Sequence, residues 1–372
     1  MLFSIFLSIC LYFSLIFNGY AENIFIILAT LLFYKIVLVE KEYKIILPSL
    51  IICFIGINML CISGFRDHIK IKEVQTLERE EETVVLLVSE GEAKNYNIVE
   101  RCTEIYYDKG VSAYFTAIKD LYEYQSYYDK FGSSDFKEEA ENIATKLRNK
   151  LGKDYKVVNT YMYSKPYFEK GVEDIISNGY KNIIICPMFM TDGVDYETFI
   201  KRYEKLKLST YGMDEIKILD TFYQSNNLAM MYKDEILKDI NSFGYDAGIL
   251  LIGLENENNI EQDILFREKI KNYIVLEQKN NDIQIKLPLL ENNKKDIIKA
   301  GEELLEYGID SLYIVLPTFV IDNMYTKHLV ESILEELNLG ETKFYYVDPK
   351  TKENVIADEI YTKVKLSNEI GG

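Results

Sequence analysis

Three apolar runs open the chain: LFSIFLSICLYFSLIF, IFIILATLLFYKIVLV and IILPSLIICFIGINMLCISGF, broken by NGYAEN and by EKEYK. Each approaches the roughly 20 residues that a helix needs to cross a bilayer, the first two falling slightly short. The pattern predicts three membrane-spanning helices within residues 1–65, followed by a charged linker over 66–81. A cleaved signal peptide is the alternative for the first run, but that run lacks a basic leading segment and two more apolar runs follow it. Lys35, inside the second run, reads as a side chain that snorkels to the interface. Arg66, Lys70 and Lys72 follow the third run, against Lys41 and Lys44 before it. This balance predicts an integral membrane protein whose soluble part faces the cytoplasm.

Beyond the linker the period changes. TVVLLVSEGE is a β-branched apolar run that stops at small and acidic residues, which predicts a buried strand entering a loop. A helix-period segment then runs through KEEAENIATKLRNKL to Gly152. YKVVNTYMY predicts a strand, KPYFEKGVEDIISNG a helix, and KNIIICPMFMTDG another strand. Fully apolar strands alternating with helices imply a parallel sheet covered on both faces. The pattern then starts again: AGILLIGLENE mirrors VVLLVSEGE, and DIIKAGEELLEYGIDSLYIVLPTFVID mirrors KGVEDIISNGYKNIIICPMFMTD. Two similar α/β lobes are expected, over 82–240 and 241–372, each ending a central strand in Pro-x-Phe-x-x-Asp: Pro187 to Asp192 and Pro317 to Asp322. Ligands of such sheets bind beyond the carboxyl ends of the strands, so Met188 and Phe189 on one side, and Thr318 and Asn323 on the other, are expected to face a common cleft. Phe189 and Phe319 are read as core packing rather than ligand contacts.

Composition narrows the chemistry. A chain of 372 residues, 48% hydrophobic, can bury a large core, and a formal charge of −17 excludes a nucleic-acid partner, since phosphate binding needs clustered Lys and Arg. The five cysteines form no C-x-x-C pair, and His68 and His328 are the only two histidines. Neither a thiolate zinc site nor a His-rich metal centre is indicated. No G-x-G-x-x-G or G-x-x-x-x-G-K-[ST] occurs, which disfavours a nucleotide-binding reading.

YMYSKPYFEKGVEDIISNGYKNIIICPMFMT and GIDSLYIVLPTFVIDNMY resemble the ferrochelatases of the class II chelatase family, and the resemblance extends from Val84 to Val347, more weakly at GSSDFKEEAENIATKL. It implies two facing flavodoxin-like lobes, a tetrapyrrole in the cleft and insertion of a divalent metal. Such insertion needs a base for the pyrrole N–H protons and groups that guide a partly dehydrated ion. In the family a histidine follows the strand-end Pro and the second lobe supplies a carboxylate in Asp-His-x-Glu. Here Met188 takes the histidine position and Tyr325 the carboxylate position. Ser89-Glu90-Gly91-Glu92 replaces the usual Tyr-Gly-rich loop, and Gly253-Leu254-Glu255 replaces Ser-x-His.

A thioether exchanges no proton, and a phenol with a pKa near 10 is a poor base at neutral pH. The expectation is therefore a membrane-anchored protein that binds a porphyrin or haem-type tetrapyrrole with weak or no iron insertion. The substrate-binding candidates are Met188, Met190, Asn323, Tyr325, Glu90 and Glu255, with no metal-ligand set and no catalytic residue assigned. Glu92 and Glu257 are further strand-end carboxylates, and His328 reads as an exposed helix residue. Two alternatives stand beside this: an active, divergent chelatase of haem biosynthesis using other residues, and a non-catalytic α/β scaffold with another ligand.

Overall fold

The computed structural model describes residues 1–40, 43–69, 80–211, 215–243, 246–254, 260–278, 283–290 and 294–370. The chain divides into two compact units: Met1–Lys70, Gly91–Asp135 and Tyr163–Lys165 form the first, and Ile71–Glu90, Phe136–Met162 and Pro166–Gly372 the second.

The first unit is helical. It holds α1 (Leu2–Ile16), α2 (Gly19–Tyr34), α3 (Ile46–Leu60), α4 (Ile98–Lys109) and α5 (Ala113–Phe131). Wider, π-type turns prolong α2 and α3, so that Gly19–Leu38 and Ile46–Phe65 are each 20 residues long and apolar enough to cross a membrane. The first apolar run gives only the 15 residues of α1, because the chain leaves the helix at Phe17 and turns at Gly19, where φ is +64°. Among the described residues, two apolar helices of spanning length thus stand where three spans are expected. One apolar cluster joins α1, α3, α4 and α5, including Ile16, Ile57, Cys61, Cys102, Ala117 and Leu121.

The sequence reads as one helix-period segment running through KEEAENIATKLRNKL to Gly152, whereas the structure places three helices, α4, α5 and α6 (Phe136–Leu151), between the first two strands. Asn97 caps α4 by accepting from the Val99 and Glu100 amides, and Gly110 (φ +53°) and Gly132 (φ +85°) end α4 and α5 in conformations that side-chain-bearing residues rarely adopt.

The second unit contains two four-stranded parallel sheets. The first has β1 (Glu80–Ser89), β2 (Tyr155–Tyr161), β3 (Tyr180–Pro187) and β4 (Glu215–Ile218) in the order β2-β1-β3-β4. The second has β5 (Ala247–Leu251), β7 (Ile283–Lys286), β9 (Ser311–Val315) and β10 (Lys343–Tyr346) in the order β7-β5-β9-β10, while β6 (Gly253–Leu254) and β8 (Leu289–Leu290) form a separate parallel pair. In both sheets the second strand pairs with the first, the first with the third, and the third with the fourth. The duplication read from sequence is therefore a duplication of topology. Val84 to Val88 are buried throughout, as expected of a central strand covered on both faces.

Helices supply the crossovers: α6 (Phe136–Leu151), α7 (Phe168–Ser177) and α8 (Val194–Leu206) in the first lobe, α10 (Ile260–Glu277), α11 (Lys295–Tyr307) and α12 (Met324–Glu336) in the second. The helices α9 (Asn226–Phe243) and α13 (Lys352–Ile370) follow the last strand of each lobe. A single apolar cluster draws on one face of each sheet, through Val85, Leu87, Ile184, Ile249, Leu251 and Tyr313, and on α6, α9, α10 and α13. The other face of the second sheet packs through Leu250, Ile252, Leu312 and Ile314 in a cluster of its own.

Buried ion pairs fix two strand ends. Arg202 of α8 donates twice to Glu169 (2.7 and 2.6 Å) and to the Met162 carbonyl (2.6 Å). Arg267 of α10, 1% exposed, pairs with Asp263 at 2.6 Å and donates to the carbonyl of Leu251 at the end of β5. Gly253 lies against this pair, and a Cβ there would run into Asp263 Oδ2 and Arg267 Nε.

Candidate functional site

The two Pro-x-Phe-x-x-Asp segments end β3 and β9, and both send their apolar residues inward. Met188, 3% exposed, donates its amide to the Val88 carbonyl (2.7 Å), and Met190 is 4% exposed. Both belong to the cluster that also contains Val320 and Ile321, so these strand ends share a packed core. Phe189 is buried near Phe199, and Phe319 lies 6.4 Å from the half-buried Tyr325 in the cluster on the other face of the second sheet. The packing read for both phenylalanines is what their burial shows. Met188 and Tyr325 fall in different apolar clusters.

Asn323 and Glu90 are brought together. The Asn323 side chain caps α12, accepting from the Thr326 amide (2.9 Å), while the Asn323 amide donates to Thr326 Oγ1 (3.0 Å). The Asn323 Nδ2 group also donates to Glu90 Oε2 at 3.3 Å, a bond between the lobes. Glu92 accepts from the Tyr124 hydroxyl (2.8 Å) within the helical unit. His328 is half-buried on α12. Glu255 and Glu257 lie outside the described residues. Thr318 Oγ1, just past β9, is buried and has no hydrogen-bond partner among the described residues.

The two motif aspartates make the polar contacts, and they do so in corresponding ways. Asp192 accepts from Thr221, just past β4, at 2.7 Å, and exchanges two 2.8 Å bonds with Gln262 in the first turn of the opposite lobe's α10. Asp322 accepts from Tyr346, at the end of β10, at 2.7 Å, and lies 3.7 Å from the buried Lys352 ammonium, which is also 3.6 Å from Asp348. The opposite lobe's α6 then contributes Glu139, near its start as Gln262 is near the start of α10.

This second aspartate sits in a charged cluster. Burial pushes the Glu139 carboxyl up to about 7, with Lys352 opposing the rise and Asp322, Asp348 and Glu353 adding to it. Burial works against the Lys352 ammonium, but Asp322, Tyr232, Asp348 and Glu139 outweigh it and raise its pKa. Burial also raises the Asp348 carboxyl, and burial together with Asp322 raises the Tyr346 phenol well above its ordinary range. Sequence reasoning singled out Asp322 but missed Glu139, Tyr346, Asp348 and Lys352. The available signal was the repeat itself: Glu139 and Gln262 open equivalent helices. No group of three or more His, Cys, Asp or Glu among the described residues is arranged to hold a metal ion.

Residues 82–253 match the family model described as Ferrochelatase. The curated proteins contain no match to the sequence. Among solved structures, the chain is similar to SirB from Bacillus subtilis with Fe3+, at 14% identity and a TM-score of 0.52, over 77% of this chain and 98% of that one. It is also similar to the sirohydrochlorin chelatase SirB from Bacillus subtilis subspecies spizizenii in complex with cobalt, at 12% identity and a TM-score of 0.50, over 76% of this chain and 96% of that one. At these identities the structural likeness establishes the fold. Together with the family match it bears out the chelatase resemblance read from the sequence.

Proposed function

We propose, from the premise that residues 82–253 form a ferrochelatase-family domain, that the chain is a membrane-anchored chelatase-like protein. In this reading it binds a tetrapyrrole between its two lobes and inserts ferrous iron weakly or not at all. The observation that carries the proposal is the combination of that family match with Met188 and Tyr325 at the positions where the family places its histidine and carboxylate. A buried thioether and a half-buried phenol provide neither an acceptor for pyrrole protons nor a guide for a hard divalent ion. The apolar strand ends around Met188, Val320 and Ile321 suit a flat macrocycle, which has to part them to enter.

Anchoring is assigned to Gly19–Leu38 and Ile46–Phe65, with the lobes on the cytoplasmic face. The ligand is a porphyrin or haem-type ring, and iron is a substrate ion that the protein handles poorly.

One observation favours a second reading, an active but divergent chelatase. Glu139, with a carboxyl that titrates at about 7 beside Asp322 and Lys352, can exchange protons at neutral pH. A ferrous-insertion assay on the membrane-embedded full chain separates the two. The first reading expects insertion at the rate of protein-free vesicles. Robust insertion that Glu139→Gln abolishes establishes the second.

A further inference from the structure

We propose that the helical unit meets the membrane on one side only, through the outward faces of α2 and α3, while the α4–α5 hairpin keeps another flank of α3 in water. The proposal rests on the membrane-anchored reading above and specifies how the anchor sits.

Register carries the argument. The Ile118 amide of α5 donates to Asn58 Oδ1 of α3 at 2.9 Å. Seven residues on, Gln125 Nε2 donates to the Phe17 carbonyl at 2.9 Å, and the Phe17 ring lies 6.0 Å from that of Phe65, seven residues beyond Asn58. The helix α5 therefore runs alongside α3 in step with it, residue 118 level with 58 and residue 125 level with 65. With a rise of about 1.5 Å per residue, Ala113 at the start of α5 lies about 18 Å below the level of Phe65, next to the middle of the apolar run. The shared cluster agrees, since Ala113, Ala117 and Ile118 are buried with Cys53, Ile57 and Cys61.

An upright, lipid-surrounded α3 would place the outer face of this hairpin in hydrocarbon. That face is charged. Lys109 pairs with Asp120 at 2.8 Å, Thr116 donates to Asp120 at 2.7 Å, and Asp108, Lys109 and Lys119 are exposed; in this register Lys119 and Asp120 stand level with residues 59 and 60, about 8 Å inside the level of Phe65. Several charged groups at that depth cost more than the exposed Val111 and Phe115 would return on entering lipid.

The surface elsewhere is of the other kind. The helix α2 packs on α1, most of its apolar length is left uncovered, and Ile27 and Leu31 are 60% and 61% exposed. On α3, Leu47, Ile51 and Ile52 are exposed as well. A broad apolar face beside a charged one fits the hydrocarbon of a lipid leaflet approached from one side.

The chain contains no tryptophan, so single-tryptophan reporters are unambiguous. In the full chain reconstituted in phosphatidylcholine–phosphatidylglycerol vesicles, Leu31→Trp is expected to lose most of its emission to lipids brominated on their acyl chains and little to aqueous acrylamide. Phe115→Trp, at an exposed position on α5, is expected to show the reverse, and so is Tyr122→Trp, which guards against a local effect of one substitution. Quenching of all three by brominated lipid overturns the one-sided arrangement while leaving the anchor intact. Absence of lipid quenching at Leu31→Trp overturns the membrane reading itself, and the proposal with it.

Discussion

Replacing Glu139 by Gln should stabilise the protein above neutral pH and leave it nearly unchanged in acid. In the folded chain the carboxyl titrates at about 7, against an ordinary value of 4.5. Between those values the folded state keeps a proton that the unfolded chain has lost. Rising pH therefore removes stability across this window, and the penalty is complete above the folded value. At about 1.4 kcal/mol per pH unit the interval caps the penalty at roughly 3 kcal/mol. Glu139 is only partly buried, and solvent screening together with the lost attraction to Lys352 reduces the expected gain to about 1–2 kcal/mol. For a unit of this size that raises Tm by about 2–4 °C per kcal/mol. Thermal unfolding of the solubilised full chain, followed by tyrosine fluorescence at pH 4 and pH 8, provides the comparison. A gain at pH 8 that vanishes at pH 4 is the expected result. A gain of equal size at both pH values, or a loss at pH 8, refutes the view that Glu139 is an ionised group held unfavourably by burial and, to a lesser degree, by Asp322, Asp348 and Glu353.

Two further substitutions probe other parts of the account. Gly253→Ala drives a methyl group into the Arg267–Asp263 pair and should cost about 3 kcal/mol or more, because a buried ion pair that is pushed apart leaves uncompensated charge; a urea unfolding midpoint equal to that of the wild type shows that the pair can shift. Met188→His combined with Tyr325→Glu should raise ferrous insertion by about tenfold or more over the wild type, with folding checked by circular dichroism. A folded variant without gain means that the ion does not reach the β3 strand end.

The strands and their duplication were legible because a central parallel strand must be apolar on both faces, so TVVLLVSEGE and AGILLIGLENE announce themselves and each other. The α4–α5 hairpin was not. Its apolar face at Ile98, Cys102, Ile105, Ala117 and Leu121 has the same period whether it covers a sheet or other helices, and its packing partners lie up to a hundred residues away. At the candidate site the segments were identified but not the groups that interact. Met188 and Met190 alternate as strand-end side chains should, yet whether they face a ligand or a core depends on Val320 and Ile321, which the sequence does not place. The charged cluster joins Glu139, Asp322 and Lys352, which are brought together only by the packing of α6 against α13 across the two lobes. Asn323, which the sequence offers as a ligand contact, is a helix cap that also reaches Glu90. Glu255 lies outside the described residues.

The central claim is that a tetrapyrrole binds between the lobes, and titration of the membrane-embedded full chain with a metal-free porphyrin, read from its absorption band, tests it most directly. Because such rings also partition into lipid, each point is referred to vesicles without protein. Binding between the lobes gives a saturable spectral change at one ring per chain in the micromolar range, weakened by Met188→Lys, which places a charge among the apolar strand ends. A linear response indistinguishable from protein-free vesicles contradicts it, and would leave the chelatase fold without its ligand.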